Sequence, residues 1–112
     1  MIKYKFDADA LNKKLKSIDS DKIQEEVLQQ LGLIVKTNAR RYVPVDTGAL
    51  RASIDLEVNG DEAIVGTPLD YAPYIEYGTV NQPPQPYLIP ALEDANNVAQ
   101  DVVNGVIRKY VQ

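Results

Sequence analysis

A chain of 112 residues can build one hydrophobic core and is too short for two, so we expect a single domain. With 45% hydrophobic and 25% charged residues it should fold as an ordinary globular protein. The net charge of −4 argues against tight binding to a phosphate backbone. The absence of Cys and His excludes disulfides, thiolate zinc sites and catalysis by either residue.

The start of the chain resembles neither a signal peptide nor a membrane anchor. It reads Met1-Ile2-Lys3-Tyr4-Lys5-Phe6, which is short and carries two lysines. Nowhere does the sequence contain the roughly 18 consecutive apolar residues that a membrane span needs. We therefore expect synthesis and action in a cytoplasm, without a membrane partner.

The N-terminal half predicts two helices after this extended start. Between Asp7 and Ile18, apolar residues recur at spacings of four and three, as on one face of a helix. A second, longer helical pattern runs from Ile23 to about Tyr42, and Gly32 weakens it without ending it. Pro44 and Gly48 then mark a break, because the residue before proline is driven out of the helical region.

The middle of the chain predicts a β-hairpin. Ile54, Leu56 and Val58 alternate with polar residues, which is typical of a strand with one buried face. Asn59-Gly60 is a turn signal, and Glu62 to Gly66 would form the partner strand. Because an isolated hairpin is only marginally stable in water, the helices must cover its apolar face.

The C-terminal part predicts one helical turn, a loop and a long helix. Tyr71 to Thr79 holds the turn, and three prolines between Asn81 and Pro86 forbid regular structure. From Leu88 to Tyr110 the apolar spacing is helical, with Pro90 in the first turn. The fold class is therefore α+β: two N-terminal helices, a central β-hairpin or small antiparallel sheet, a proline-rich loop and a long C-terminal helix.

One short motif suggests an enzyme. Val45-Asp46-Thr47-Gly48-Ala49 matches the active-site signature of aspartic proteases, and the retroviral type is a homodimer of chains of this size that pairs two aspartates. Those proteases are almost entirely β, whereas a helical pattern precedes the motif here. The alternative is a turn in which Asp46 or Thr47 caps the next short helix and Gly48 relieves the backbone. We favour the turn and keep the homodimeric protease as an alternative.

Other charged residues give no catalytic site, metal site or cofactor site. The acidic pairs lack the spacing of a Ca²⁺ loop and are interpreted as solvated surface. Arg40, Arg41 and Arg51 could contact phosphate, but we favour a helix C-terminus whose cations complement the dipole and pair with carboxylates. We expect no bound cofactor and no metal.

Four tyrosines surround the proline-rich loop. Tyr71, Tyr74, Tyr77 and Tyr87 supply large, rigid, amphipathic side chains of the kind that protein–protein contacts use. Each could equally be a core residue whose hydroxyl is bonded at the rim. The sequence does not separate these two interpretations.

Three blocks of the sequence together resemble a known family. They are Val43 to Ile54, with Asp-Thr-Gly-x-Leu-Arg-x-Ser; Tyr71 to Thr79, with Tyr-Ala-x-x-Ile-Glu-Tyr-Gly-Thr; and Pro86 to Leu92, with Pro-Tyr-Leu-x-Pro-Ala. In this order they are similar to the gene-product-ten-like tail-component proteins of lambda-like long-tailed phages, also described as neck or tail-completion proteins. The second and third blocks often carry Phe where this chain has Tyr77 and Tyr87.

The resemblance implies a non-enzymatic α+β subunit of a ring that joins the capsid portal to the tail. Its partners would be other copies of itself and neighbouring head-connector or tail-tube proteins, with DNA as passing cargo, and its place the neck or tail end of a virion assembled in the bacterial cytoplasm. A tail terminator, a minor head protein or a nucleic-acid-binding module are alternatives.

The resemblance also transfers a set of motif positions to this chain. We expect Arg51 and Glu76 to form an ion pair that ties the first block to the second, and Gly48 and Gly78 to serve backbone turns. The full set of motif positions is Asp46, Thr47, Gly48, Leu50, Arg51, Glu76, Gly78, Thr79, Pro86 and Pro90.

Overall fold

A computed structural model describes residues 2–7, 21–44, 48–60 and 62–110, with side chains from residue 22 onward. This part of the chain contains three strands and four helices, in an α+β arrangement. In chain order they are β1 (Ile2–Asp7), α1 (Asp21–Tyr42), α2 (Gly48–Ser53), β2 (Asp55–Asn59), β3 (Glu62–Thr67), α3 (Ala72–Tyr77) and α4 (Leu88–Tyr110).

The strands form one antiparallel sheet in the order β1-β3-β2. The hairpin of β2 and β3 closes with Asn59 opposite Glu62, and Gly60 turns the chain there at φ +58°. In β3, Ala63, Val65 and Thr67 are buried and alternate with half-buried residues, so one face of the sheet points into the core. The hairpin was predicted and is confirmed.

Helix α1 covers this inner face. Its Leu28 is fully buried with Ala63, and Leu56 and Val58 pack against that pair. Gly32 lies one turn further along and is buried directly beneath Leu56. A glycine in mid-helix, which costs helix stability, therefore lets the sheet approach α1 closely.

We expect Gly32→Ala to reveal this close approach. An added Cβ would lie 2.5 Å from Cδ1 of Leu56, so the leucine must move out of its position. In a Leu56→Ala background the same change should stabilise the protein by about 1 kcal/mol, the helix-propensity gain of Ala over Gly. In the wild-type background that gain should be cancelled or reversed. Urea denaturation of the four variants measures the coupling, and purely additive effects would contradict it.

Helices α1 and α4 pack against each other in antiparallel directions, and most of the core lies between them and the sheet. Near one end, the Asp94 carboxylate accepts hydrogen bonds from Asn38 Nδ2 (3.1 Å) and the Tyr42 hydroxyl (2.6 Å). At the other end, Lys109 and the Tyr110 hydroxyl donate to Glu26 at 2.8 and 2.6 Å, and these bonds lower the pKa of Glu26. The long C-terminal helix predicted from Leu88 to Tyr110 is confirmed at both ends.

The extended start pairs as β1 with β3, with Ile2 opposite Thr67, a partner that the sequence did not predict. The first predicted helix, Asp7 to Ile18, lies outside the described residues apart from Asp7, which ends β1. Among the described helices, none combines the length and apolar character that crossing a membrane requires.

Candidate functional site

The carboxylate of Glu76 is the centre of the site. Glu76 lies on the short helix α3 and is only 2% exposed. Its Oε1 accepts the backbone N–H groups of Tyr87 (3.2 Å) and Leu88 (2.8 Å), and its Oε2 accepts that of Ile89 (3.3 Å). Helix α4 begins at Leu88, and the first N–H groups of a helix have no partner within it. Glu76 thus caps α4 from another element, at the positive end of the helix dipole.

The sequence around the start of α4 explains why this cap comes from elsewhere. The first turn of α4 contains no acidic residue, and Pro86 and Tyr87 precede it where Ser, Thr, Asp or Asn would normally cap. Pro90 has no N–H group and so requires no partner. The missing cap residue was the feature of the sequence that could have indicated a capping side chain from elsewhere in the chain. It does not identify Glu76 as that side chain.

Tyr87 secures the same junction from the opposite side. Its ring is fully buried, and its hydroxyl donates a hydrogen bond to the carbonyl of Ala72 at 3.1 Å. Burial, with the nearby Glu76 carboxylate, raises the pKa of Tyr87 far above its usual value. The tyrosine stays neutral and fastens the start of α3 to the start of α4.

The turn after α3 depends on Gly78. Its φ of +79° and ψ of 175° lie in a region that is essentially restricted to glycine, and its N–H donates to the Tyr74 carbonyl at 2.9 Å. A Cβ here would lie 2.7 Å from the backbone nitrogen of Pro84 and 2.9 Å from the Gln82 carbonyl oxygen. Gly78 therefore lies at a turn that needs glycine both for its backbone conformation and for the close approach of Pro84 and Gln82.

The proline-rich loop is held by hydrogen bonds of its own. Thr79 and Gln82 bond each other in both directions, N to O, at 2.8 and 3.3 Å, which closes a turn with Val80 at its tip. The N–H of Gln85 then donates to the carbonyl of Ile75 at 2.8 Å. The second and third sequence blocks thus form one structural unit. Glu76 and Tyr87 make the contacts between the blocks, and Gly78 contacts the loop that joins them.

The first block is organised by Arg51 in α2. Its Nε donates to the Arg40 carbonyl (3.0 Å) and its Nη2 to the Val43 carbonyl (3.2 Å), both at the C-terminal end of α1. In return, Nη2 of Arg40 donates to the carbonyl of Ile54 at 2.9 Å, just beyond α2. Two guanidinium groups therefore satisfy backbone carbonyls on either side of the connection between α1 and β2.

Arg51→Lys should lower the free energy of unfolding by about 1–2 kcal/mol, because lysine cannot present two donors in a fixed fork to two carbonyls. Arg108→Lys is the matched control, since Arg108 is exposed in the last turn of α4 and should tolerate the change. Chemical denaturation of both variants measures the difference. Equal stability of the two would show that the fork contributes nothing.

A chain of hydroxyl groups joins α2 to the sheet. Ser53 Oγ donates to the Leu50 carbonyl at 2.7 Å, so the 2.6 Å bond between Ser53 and Thr67 has the Thr67 hydroxyl as donor. Thr67 Oγ1 in turn accepts the N–H of Leu69 at 3.2 Å. Every polar atom along this path has a partner, which suits the 2% exposure of Thr67. Thr67 was not among the residues predicted from the sequence.

One predicted role is wrong. Arg51 and Glu76 do not pair, because Arg51 binds carbonyl oxygens near the end of α1 while Glu76 binds amide groups at the start of α4. Gly48 begins helix α2, and a Cβ there would meet no atom within 4 Å. The turn that Gly48 was predicted to serve includes residues 45–47, which lie outside the described ranges, so that role stays a prediction. The predictions for Asp46 and Thr47 concern residues outside the described part of the chain.

The remaining predicted positions fall into two groups. Leu50 and Tyr87 are core residues. Thr79 lies in the hydrogen-bonded turn, Pro86 precedes α4 and Pro90 lies in its first turn. By contrast, the tyrosines of the α3 region point outward, with Tyr71, Tyr74 and Tyr77 exposed at 41%, 58% and 56%.

Within the ranges that the structure describes, no group of three or more acidic side chains is placed to hold a metal ion. The one buried carboxylate there, Glu76, already accepts three backbone N–H groups. What the site can do chemically is fix the geometry of two helices and the loop between them.

Comparison with known proteins identifies a family for this chain. Neither a curated protein nor a solved structure matches the chain. The sequence profile of one family, described as "Bacteriophage HK97-gp10, putative tail-component", matches residues 8–78. That range covers more than half of the chain, with the whole first sequence block and all of the second except Thr79, while the third block follows it. The chain belongs to the HK97-gp10-like family of bacteriophage tail components.

Proposed function

We propose that this protein is a non-catalytic subunit of a ring at the head–tail junction or the tail end of a phage virion. Membership of a tail-component family points to a structural role in virion assembly. The ring, its position in the neck or at the tail end, and a role in joining or completing the tail are our extension of that role. The protein would be made in the bacterial cytoplasm and remain in the virion.

The observation that supports the proposal most directly is that Glu76 caps helix α4. A catalytic carboxylate must face a substrate, whereas all three hydrogen bonds of Glu76 go to the backbone at the start of α4. Glu76, the acidic residue of the second motif block, therefore has a structural role within the subunit. This favours a protein that acts by presenting a fixed shape to its neighbours.

The surface beside this unit favours protein partners. Exposed tyrosines on α3 and the fully exposed Val80 give an apolar, uncharged area of the kind that protein contacts bury. The partners would be other copies of the chain and the adjoining head-connector or tail-tube proteins. With a net charge of −4, the protein would let DNA pass without holding it.

The test uses particles from a phage whose gene for this chain has been deleted. Purified protein is added to tails and, separately, to DNA-filled heads, and co-sedimentation is measured. Light scattering across a range of protein concentrations gives the size of the free assembly. We expect binding to one of the two particles and none to complete virions, whose junction is already occupied. Binding to neither particle would overturn the proposal.

The same preparation tests the protease alternative. A homodimer that cleaves peptides, and loses that activity in Asp46→Asn, would replace the structural role with an enzymatic one. We expect no cleavage by either form. A light-scattering mass that is a fixed dimer, together with cleavage, would decide for the enzyme.

A further inference from the structure

The sheet has two edges at which its strands could pair further. Its strand order is β1-β3-β2, so β3 is paired on both sides, whereas β1 and β2 each have one side to which no strand of the described chain pairs. In β2, the N–H of Leu56 donates to the carboxylate of the adjacent Asp55 at 2.9 Å, a local partner of the kind that protects an edge strand. Such edges can extend a sheet into a second chain, because their outward N–H and C=O groups lack strand partners.

The two edges carry opposite charges in matching rows. The register places Lys3 and Asp55 in one row across β3, and Lys5 and Glu57 in another row, two residues along. Residues in one row share a face of the sheet. That face therefore has two basic positions along β1 and two acidic positions along β2. On β2 both acidic residues are exposed, with the Asp55 side chain at 80%.

The directions of the two edge strands match as well. Both β1 and β2 are antiparallel to β3, so they are parallel to each other. A rotation about an axis that runs along the strands preserves their direction, and the β2 edge of one copy then meets the β1 edge of the next in the parallel sense. Head-to-tail contacts of this kind use two different surfaces of each subunit and can close into a ring.

We propose that β2 of one subunit pairs in parallel with β1 of a second copy of this chain, so that the sheet continues from subunit to subunit. The register that aligns the charged rows puts Asp55 beside Lys3 of the second copy, and Glu57 beside its Lys5. In the single subunit Asp55 is bound by Lys36 at 3.3 Å, and it exchanges that partner for the neighbouring lysine on assembly. The inference rests on the proposed ring and names its contact.

Two other pairings of the same edges place like charges together. If the two strands ran antiparallel with Glu57 beside Lys5, Asp55 would lie beside Asp7 of the second copy. If β2 paired antiparallel with β2 of another copy around Glu57, the two copies of that carboxylate would lie side by side. Like charges directly opposite each other destabilise a pair of strands. The parallel contact has no such pair, because Asp7 then lies beside Asn59.

The absence of cysteine allows a clean cross-linking test. Lys5→Cys and Glu57→Cys subunits are mixed and oxidised. A disulfide requires Cα atoms about 4.4–6.8 Å apart, which neighbouring strands provide. Within one subunit β3 separates the two positions by two strand spacings, about 9–10 Å, which is too far. We expect a covalent dimer from the mixture and none from either variant alone, and a ladder of oligomers from a chain with both substitutions. In the control mixture Val98→Cys, an exposed position on α4, replaces Glu57→Cys and should give no dimer.

Charge reversal tests the pairing independently. One variant carries Lys3→Glu and Lys5→Glu, and the other carries Asp55→Lys and Glu57→Lys. Each alone places like charges across the contact and should self-associate at least about tenfold more weakly than the wild type. The mixture should recover association, because every contact between unlike variants again joins opposite charges. If these residues paired only within one subunit, mixing would recover nothing.

The outcomes separate this inference from the proposed function. Self-association, or binding to tails or heads, without a disulfide between positions 5 and 57 in solution or on the particle would overturn the strand pairing and leave the ring standing. A disulfide between two Glu57→Cys subunits, when that variant is oxidised alone, would overturn it by showing a contact of β2 with β2. A chain that neither self-associates nor joins any particle would remove the proposed function and this contact together.

Discussion

Glu76→Gln should lower the free energy of unfolding by about 2–3 kcal/mol, the range for hydrogen bonds to a buried charged group and for donors left unsatisfied. The carboxylate accepts three backbone N–H groups with two oxygens, whereas an amide offers one oxygen and places an NH₂ group against the remaining donors. The charge that complements the dipole of a 23-residue helix is lost as well. Glu76→Ala should cost more, because it also leaves a cavity.

Glu57→Gln is the control for this prediction, because Glu57 is exposed on β2 and the same change of charge should be nearly neutral there. Chemical denaturation gives the two stabilities. Hydrogen exchange adds the location, because the amide groups of Tyr87, Leu88 and Ile89 should lose protection in Glu76→Gln before those later in α4. A variant as stable as wild type, with those three amide groups still protected, would contradict the capping role.

Elements with local periodicity could be predicted from the sequence. The buried residues of α4 recur at helical spacing, from Leu88 through Ala91 and Ala95 to Val103 and Val106, and the pattern alone defines the helix. The hairpin has the same advantage, since its two strands are separated only by a short turn. In both cases the residues that define the element lie within it or next to it in the sequence.

The pairing of β1 could not be predicted in this way. Ile2–Asp7 contacts Glu62–Thr67, and nothing in six residues at the start of a chain identifies a partner so distant in the sequence. Pairing of this kind depends on the whole core, because burial and neighbouring strands decide which strand joins which edge. The expectation of a hairpin or a small sheet was right without specifying the third strand.

The partners of single side chains in the candidate site could not be predicted from the sequence either. Arg51 and Glu76 carry opposite charges among the motif positions, so an ion pair between them was the expectation from the sequence. The actual partners are backbone N–H groups, which are present at every helix start and leave no mark in the sequence. The same holds for Arg51, whose partners are carbonyl oxygens at the end of α1.

The contacts within the second and third motif blocks hold one loop in a fixed position. Glu76 and Tyr87 fix α3 against the start of α4, so the loop between the two helices has both ends anchored. The exposed residue at its tip, Val80, therefore stands on a rigid base although no helix or strand surrounds it. A partner that bound this loop would find its shape already fixed, so little conformational entropy would be lost on binding.

Among the residues at the base of that loop, Gly78 should tolerate substitution least. Gly78→Ala is expected to lower the free energy of unfolding by about 2–5 kcal/mol. One part of the cost is the backbone conformation, with φ +79° and ψ 175°, which side chains disfavour wherever they stand. The other part is the added Cβ, 2.7 Å from the backbone nitrogen of Pro84, an atom that cannot swing aside as a side chain would. Chemical denaturation measures the sum.

Gly105→Ala is the matched control, with the opposite sign expected. Gly105 lies inside α4 with nothing within 4 Å of an added Cβ, so alanine there should stabilise the protein by about 0.5–1 kcal/mol through helix propensity. Asn should not rescue position 78, because asparagine tolerates the left-handed helical region and not the extended one at positive φ. If Gly78→Asn were as stable as wild type, the conformation at this turn would differ from the one described, and the rigid base of the loop between α3 and α4 would have to be abandoned.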